Sequence, residues 1–272
     1  MGDREIGTNT PASFLEELYR RNRLLAVIGW LHVGLFAAAF VAALFDRTEV
    51  MGINAWIKPM KFMLSLAIYL WTIAWFSDYI RKPRIAVSLV SVVIACVIIV
   101  ESACILVQAA RGTTSHFNTA TDFDASVFST MGLMIGIDML MTIVILALFF
   151  KPSKTLHPVY LWSIRLGIVT FLAGGTIGGM MIGNNAHTVG APDGGPGLPI
   201  LNWSTEAGDL RIAHGLALHG LQIIPLAGHA ISRWDRFPGA LAKSGLFALA
   251  LAGYLLIVYG TWQQAMAGRP LI

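Results

Sequence analysis

The sequence predicts an all-α polytopic membrane protein: a seven-transmembrane helical bundle with its N-terminus in the cytoplasm and its C-terminus outside. Three observations predict it. The composition is too apolar for a soluble domain, seven apolar runs are each near the length of a membrane span, and the basic residues gather on one side of those runs.

Of 272 residues, 56% are apolar and 12% charged, and the mean hydropathy is +0.68. A net charge of +4 would suit nucleic acid, but Lys and Arg sit singly or in short clusters between apolar runs, as topology signals do. Nucleic acid is therefore not an expected partner; the lipid bilayer is. Cys96 and Cys104 fall inside one apolar run and read as buried small hydrophobes. No apolar stretch precedes the first charges, and MGDREI lacks the Ser or Thr of a myristoylation signal, so neither a cleaved leader nor a lipid anchor is expected.

The elements follow in order. Residues 1–23 read as a cytoplasmic, amphipathic N-terminal segment, helical from about Ala12. The seven-helix domain covers 24–272, with runs at Leu24–Phe45, Ile57–Tyr79, Ile85–Ala109, Ala125–Phe150, Pro158–Ile182, Asp209–Ile231 and Ala240–Trp262. Lipid offers free backbone groups no partner, and the runs lack period-two alternation, so they are helices and not barrel strands. Twelve basic residues (Arg4, Arg20, Arg21, Arg23, Arg81, Lys82, Arg84, Lys151, Lys154, Arg233, Arg236, Lys243) lie on one side and six (Arg47, Lys58, Lys61, Arg111, Arg211, Arg269) on the other. The richer side is cytoplasmic by the positive-inside rule, and a bacterial inner membrane is the expected location.

The outer connections are then the long ones. Residues 183–208, GNNAHTVGAPDGGPGLPILNWSTEAG, read as an extracytoplasmic cap, because Leu198, Ile200, Leu201 and Trp203 argue against a disordered loop. A 3+1+3 internal repeat would set NAWIKPMKF of the second run against GDLRIAHGL of the sixth.

Polar residues inside the runs carry the functional argument, since they are costly at membrane depth and call for partners. From the outer end, at about 1.5 Å per residue, Lys61 lies roughly 6 Å deep, His214 roughly 8 Å, Glu101 roughly 12 Å and His219 roughly 15 Å. Arg111, His116, Asn118, Asn184, Asn185, His187, Glu206, Asp209 and Arg211 crowd the rim above, while the cytoplasmic half holds mainly His32, Tyr79, Arg165 and His229. An outward-facing polar pocket is the expectation.

Within it, Glu101, His214 and Asp209 are the candidate acid–base groups. Lys58, Lys61, Arg111, Asn118, Asn184, Trp203, Arg211 and Gln222 are candidate ligand-binding residues. His116, His187, His214, His219 and Glu101 are candidate metal ligands, with a transition metal or haem as the cofactor candidate. His214 and His219 are five apart, about 140° around a helix, so they do not form an HExxH-type zinc site. The glycines of GGTIGGMM, Gly174 to Met181, serve either helix packing or a porphyrin. Asp138 and Arg165 lie at matching depth and suggest an interhelical ion pair; Asp122 and Asp124 suggest caps of the fourth helix.

Three readings result: a metal- or haem-dependent membrane enzyme or redox protein; a transporter or receptor taking a small anionic solute from the outer side with Lys58, Lys61, Arg111 and Arg211; and a structural subunit of a membrane complex. A homo-oligomer is compatible with each. The last run has no mid-helix lysine, as a rhodopsin requires, and no HxxxH, as ceramidase-like zinc hydrolases require; Walker, Rossmann and GxSxG patterns are absent too.

Overall fold

A computed structural model describes residues 13–80, 84–152, 156–236 and 239–271. Residues 1–12, with Arg4, and Arg81, Lys82 and Lys154 fall outside that set. The fold is all-helical. Among the described residues, six helices are long and apolar enough to cross a membrane: α2 (Arg23–Phe45), α3 (Ile57–Ser77), α4 (Arg84–Ala110), α5 (Asp122–Leu148), α6 (Pro158–Asn184) and α8 (Ala240–Met266). A short helix, α1 (Phe14–Arg21), precedes them, and α7 (Leu210–Ser232) lies between α6 and α8. At 23 residues α7 matches α2 in length, but Arg211, His214, His219, Gln222 and His229 dilute its hydropathy below that of the six.

The helices start and stop where their chemistry allows. Ser13 and Glu16 form a capping box on α1, and the Asn22 side chain accepts from Leu25 N–H to open α2. His157 caps α6 ahead of Pro158, which donates no N–H and fits the first turn. Thr121, and not Asp122 or Asp124, caps α5, because its hydroxyl sits one residue ahead of the first turn and meets Asp124 N–H. The carboxylate of Asp124 turns instead to Thr121, Gln108 and Arg111.

Connections define two ends. At the loop end, 46–56 folds into an antiparallel pair, β1 (Glu49–Val50) with β2 (Ile53–Asn54), and β3 (Thr188–Val189) pairs with β4 (Gly208–Asp209) across the segment 185–209. At the α1 end, Ile80 bridges Pro152, and Arg21 reaches the Trp75 carbonyl at 2.8 Å while lying 3.9 Å from the Trp75 ring centre.

The main core lies toward the α1 end, where Leu25, Leu70, Ile73, Ile94, Ile98, Ile145, Phe149, Ile164 and Ile168 interlock from α2 to α6. The helices α6 and α7 approach closely because glycine permits it: a Cβ on Gly174 would stand 2.9 Å from Leu218 N, and one on Gly167 2.9 Å from Pro225 Cδ. Of the glycines of GGTIGGMM, Gly174 and Gly178 thus seat α7, while Gly175 faces Met139 of α5. That leaves no slot for a porphyrin between α6 and α7.

Two further expectations change. Cys96 is exposed on α4, since a thiol in a uniformly apolar helix faces lipid as readily as core. Asp138 does not pair with Arg165. Matching depth does not fix rotation about the helix axis: Asp138 accepts from Tyr69 at 2.9 Å, whereas Arg165 donates to Phe149 O at 3.0 Å and lies over the Phe150 and Trp162 rings.

Candidate functional site

At the loop end, side chains from five separate elements act on one another's charge. Lys58 and Lys61 come from the first turns of α3, Glu101 from α4, His116 from the 111–121 loop, His187 and Asp193 from the 185–209 segment, and Arg211 and His214 from α7. The sequence supplied all of these except Asp193.

Glu101 is 1% exposed, and its Oε2 is buried with no hydrogen-bond partner. A buried acceptor left without a donor costs about 1–3 kcal/mol, more if charged. The Lys58 charge acts on it, yet no ion pair closes between them among the described residues. Lys58 Nζ instead lies 3.1 Å from His116 Nδ1, which also meets Ser115 Oγ at 3.0 Å. Both neighbours can donate to that nitrogen, which places the ring proton on Nε2. The His116 ring sits among Phe62, Phe117 and Phe128. Burial first, then the Lys58 charge, hold its pKa well below the usual imidazole value, so it is neutral.

His187 and His214 carry the other tautomer. His187 Nδ1 donates to Asp193 Oδ2 at 2.5 Å, and His214 Nδ1 donates to Gly174 O at 2.8 Å, which leaves each Nε2 with a bare lone pair. Asp193 ties the 185–209 segment together: it also accepts from the N–H groups of His187 and Thr188 and from Thr188 Oγ1. Burial pushes the Asp193 carboxyl up, but the His187 and Thr188 hydrogen bonds outweigh it and hold the pKa below the carboxylate range. Burial lowers the His187 pKa more than Asp193 raises it.

The roof is tied down at named points. Lys61 donates to Ile200 O at 3.1 Å and Leu201 O at 3.0 Å, Asn202 donates to Met51 O at 3.1 Å, and the Arg211 guanidinium grips both the Asn202 carbonyl and Asp209, which is 1% exposed. Met51, Ile200 and Asn202 all adopt positive φ, 55°, 65° and 56°. For a β-branched residue such as Ile200 that conformation is strained, and such strain persists only where the surroundings enforce it.

The other predicted residues do local work. Arg111 is spent on Asp124 and Gln108, both at 2.5 Å, and Asn118 holds its loop through Thr113, Thr114 and Ala120. Asn184 binds Ala186 O and Thr188 O at the end of α6. Trp203 takes part through its carbonyl, which accepts from Leu198 N–H. Gln222 lies deeper, donating to Thr72 Oγ1 at 3.1 Å with its own Oε1 buried and unpartnered. His219 touches the cluster only by its charge effect on His214.

Among the described residues, no three His, Cys, Asp or Glu side chains are arranged to hold a metal ion. The tautomers explain part of this: His116 presents an N–H where a ligand needs a lone pair, and α7 covers Gly174 and Gly178 of the glycine face a porphyrin would need. These residues as they stand do not fit a metal or haem centre. A groove of about 330 Å³ between α6 and α8, lined by Ile177, Met180, Tyr259 and Trp262 among others, lies apart from the cluster. No known protein family, curated protein or solved structure matches the chain.

Proposed function

We propose that the chain is a seven-span integral membrane protein of a bacterial inner membrane, with its α1 end cytoplasmic, that receives a small anionic solute from the outer side beneath the cap 183–208. On this reading α7 is the seventh span, shielded by α6 and α8, and the basic residues near the α1 end set the orientation. Residues 1–23 are then a cytoplasmic amphipathic segment and 24–272 the transmembrane domain.

The observation that carries the reading is the company Lys58 keeps. Lys58, Lys61 and Arg211 repel one another at the loop end, and the hydrogen-bond partner of Lys58 is a neutral imidazole, not a carboxylate. An anion between Lys58 and α4 would supply the missing negative charge. Glu101, with its unpartnered oxygen, would accept a hydrogen from the same solute, and the bare Nε2 of His187 or His214 could take a proton from it. Entry requires the strained turn at Ile200–Asn202 to release Lys61 and Arg211, which makes the cap a lid.

Thermal unfolding of the protein in nanodiscs, titrated with phosphate, sulfate, acetate and short dicarboxylates, tests this. At tenfold excess over Kd, one of these anions should stabilise the protein by about 1.4 kcal/mol. The effect should vanish in Lys58→Gln. Absence of any stabilising anion, or an undiminished response in Lys58→Gln, would remove the reading.

A further inference from the structure

The α1 end holds a guanidinium whose charge the described residues do not balance. Arg165, two turns into α6, donates from Nε at 3.3 Å and from Nη2 at 3.0 Å to one acceptor, the Phe149 carbonyl at the end of α5. A helix-terminal carbonyl is partly negative, so this contact fastens α6 to α5. It occupies one edge of the group. Nη1 makes no hydrogen bond among the described residues, and none of their acids pairs with Arg165. Other arginines of the bundle differ in this respect: Arg21 has Glu17 and Asp78, Arg111 has Asp124, and Arg211 has Asp209.

Two rings hold the guanidinium flat. Its carbon lies 4.7 Å from the Phe150 ring centre and 4.8 Å from that of Trp162, and both rings are turned outward, 61% and 51% exposed. Both α5 and α6 are long and apolar enough to cross a bilayer, so an outward ring there meets lipid. The level is the interface: α6 spans 27 residues, about 40 Å, against about 30 Å of hydrocarbon, and Arg165 meets the carbonyl at which α5 stops. One turn deeper on the same face of α6, Val169 is also exposed. An arginine at this boundary without an acid of its own takes its counter-charge from outside the protein, and the anions present there are lipid phosphates.

We propose that Arg165 binds the phosphate of an anionic phospholipid in the leaflet at the α1 end. Nη1 donates to a phosphate oxygen, Trp162 and Phe150 flank the headgroup, and Val169 meets the first acyl carbons. Lys151, exposed two residues beyond Phe149, adds a second cation at headgroup level. The bound lipid thereby neutralises the residue that joins α5 to α6. The site requires a bilayer around the bundle and nothing of the solute reading, since it stands at the opposite end.

Thermal unfolding of the full chain in dodecyl maltoside, titrated with dioleoylphosphatidylglycerol or with dioleoylphosphatidylcholine, tests the site. The two lipids share their acyl chains and differ in net charge. Wild type should reach half-maximal stabilisation at about fivefold less phosphatidylglycerol than phosphatidylcholine. Arg165→Gln should erase that preference, whereas Arg236→Gln, at an exposed position beyond α7, should keep it. Where Arg165→Gln does not fold, Trp162→Ala removes an outward ring, leaves the core intact and should at least halve the preference. Glycerol phosphate at the same concentrations should leave the transition unmoved. No preference in wild type, full preference in Arg165→Gln or in the Trp162→Ala that replaces it, or equal loss in Arg236→Gln overturns the site and leaves Arg165 as a tie between α5 and α6. A shift with glycerol phosphate as large as that with phosphatidylglycerol would assign the guanidinium to a soluble phosphate and overturn the lipid.

Discussion

The two ends of the bundle are built from the same helices on different terms. At the α1 end, Leu70, Ile94, Ile98, Phe149, Ile164 and Ile168 fill the space between helices with side chains that have no alternative partner, and the connections are short. At the loop end, carbonyls of Ile200, Leu201, Asn202 and Met51 meet Lys61, Arg211 and Asn202, and each such bond can be exchanged for one to water or solute. Packing resists continuous deformation, whereas a set of exchangeable polar contacts supports two states. On the proposed reading, the contrast gives a rigid base and a top that opens.

The largest effect should come from breaking the base. Leu70 is fully buried where α3 meets the core, and Leu70→Ala leaves a cavity worth about 3 kcal/mol of global stability. Unfolding in denaturing detergent should show that loss with cap proteolysis unchanged. Equal loosening of the cap would mean that the two ends are not separable.

The top should fail locally. Arg211→Ala removes the side chain that holds Asp209 and the Asn202 carbonyl, leaving the buried carboxylate only its backbone donors, Ser204 N–H and Arg211 N–H. A local loss of about 2 kcal/mol is expected, seen as roughly thirtyfold faster protease cleavage within 190–206 at nearly constant melting temperature. A drop in global stability as large as that of Leu70→Ala would make Arg211 part of the base.

How much of this was legible in the sequence follows from the same contrast. Six of the seven expected spans were, because an uninterrupted apolar run has few other uses, and depth along each helix assigned Lys61, Glu101 and His214 to the loop-end half. Rotation about each axis was not. Lipid is as apolar as the core, so α2 and α5 bear no stripe that marks an inner face, and the partners of Asp138, Tyr69 and Thr142, stayed hidden until the helices were packed. The site's histidines were visible as residue types, but their tautomers depend on Ser115, Gly174 and Asp193. Asp193 had one signal, an acid ahead of Gly194–Gly195 in a loop that also carries His187, and it reads equally well as a plain turn residue.

Acid should separate the two ends with the smallest perturbation. His116 and His187 are held below the ordinary imidazole value of 6.5, so between that value and their folded pKa the unfolded chain binds more protons than the folded one. Their stabilisation is thus complete above about pH 6.5 and is lost as pH falls, by at most about 1.4 kcal/mol per pH unit for each group. Asp193, also depressed, adds stability that is present above about pH 4 and fails only in stronger acid. At the α1 end, the hydrogen bond from Arg20 leads in holding Glu17 down at about 2, so Glu17 stays a carboxylate between pH 7 and 5. Over that range cap proteolysis should quicken several-fold while cleavage near α1 stays constant, and His116→Gln should flatten the cap's response. The same pH slope at both ends, or an unchanged slope in His116→Gln, would show that the imidazoles under the cap do not control its opening.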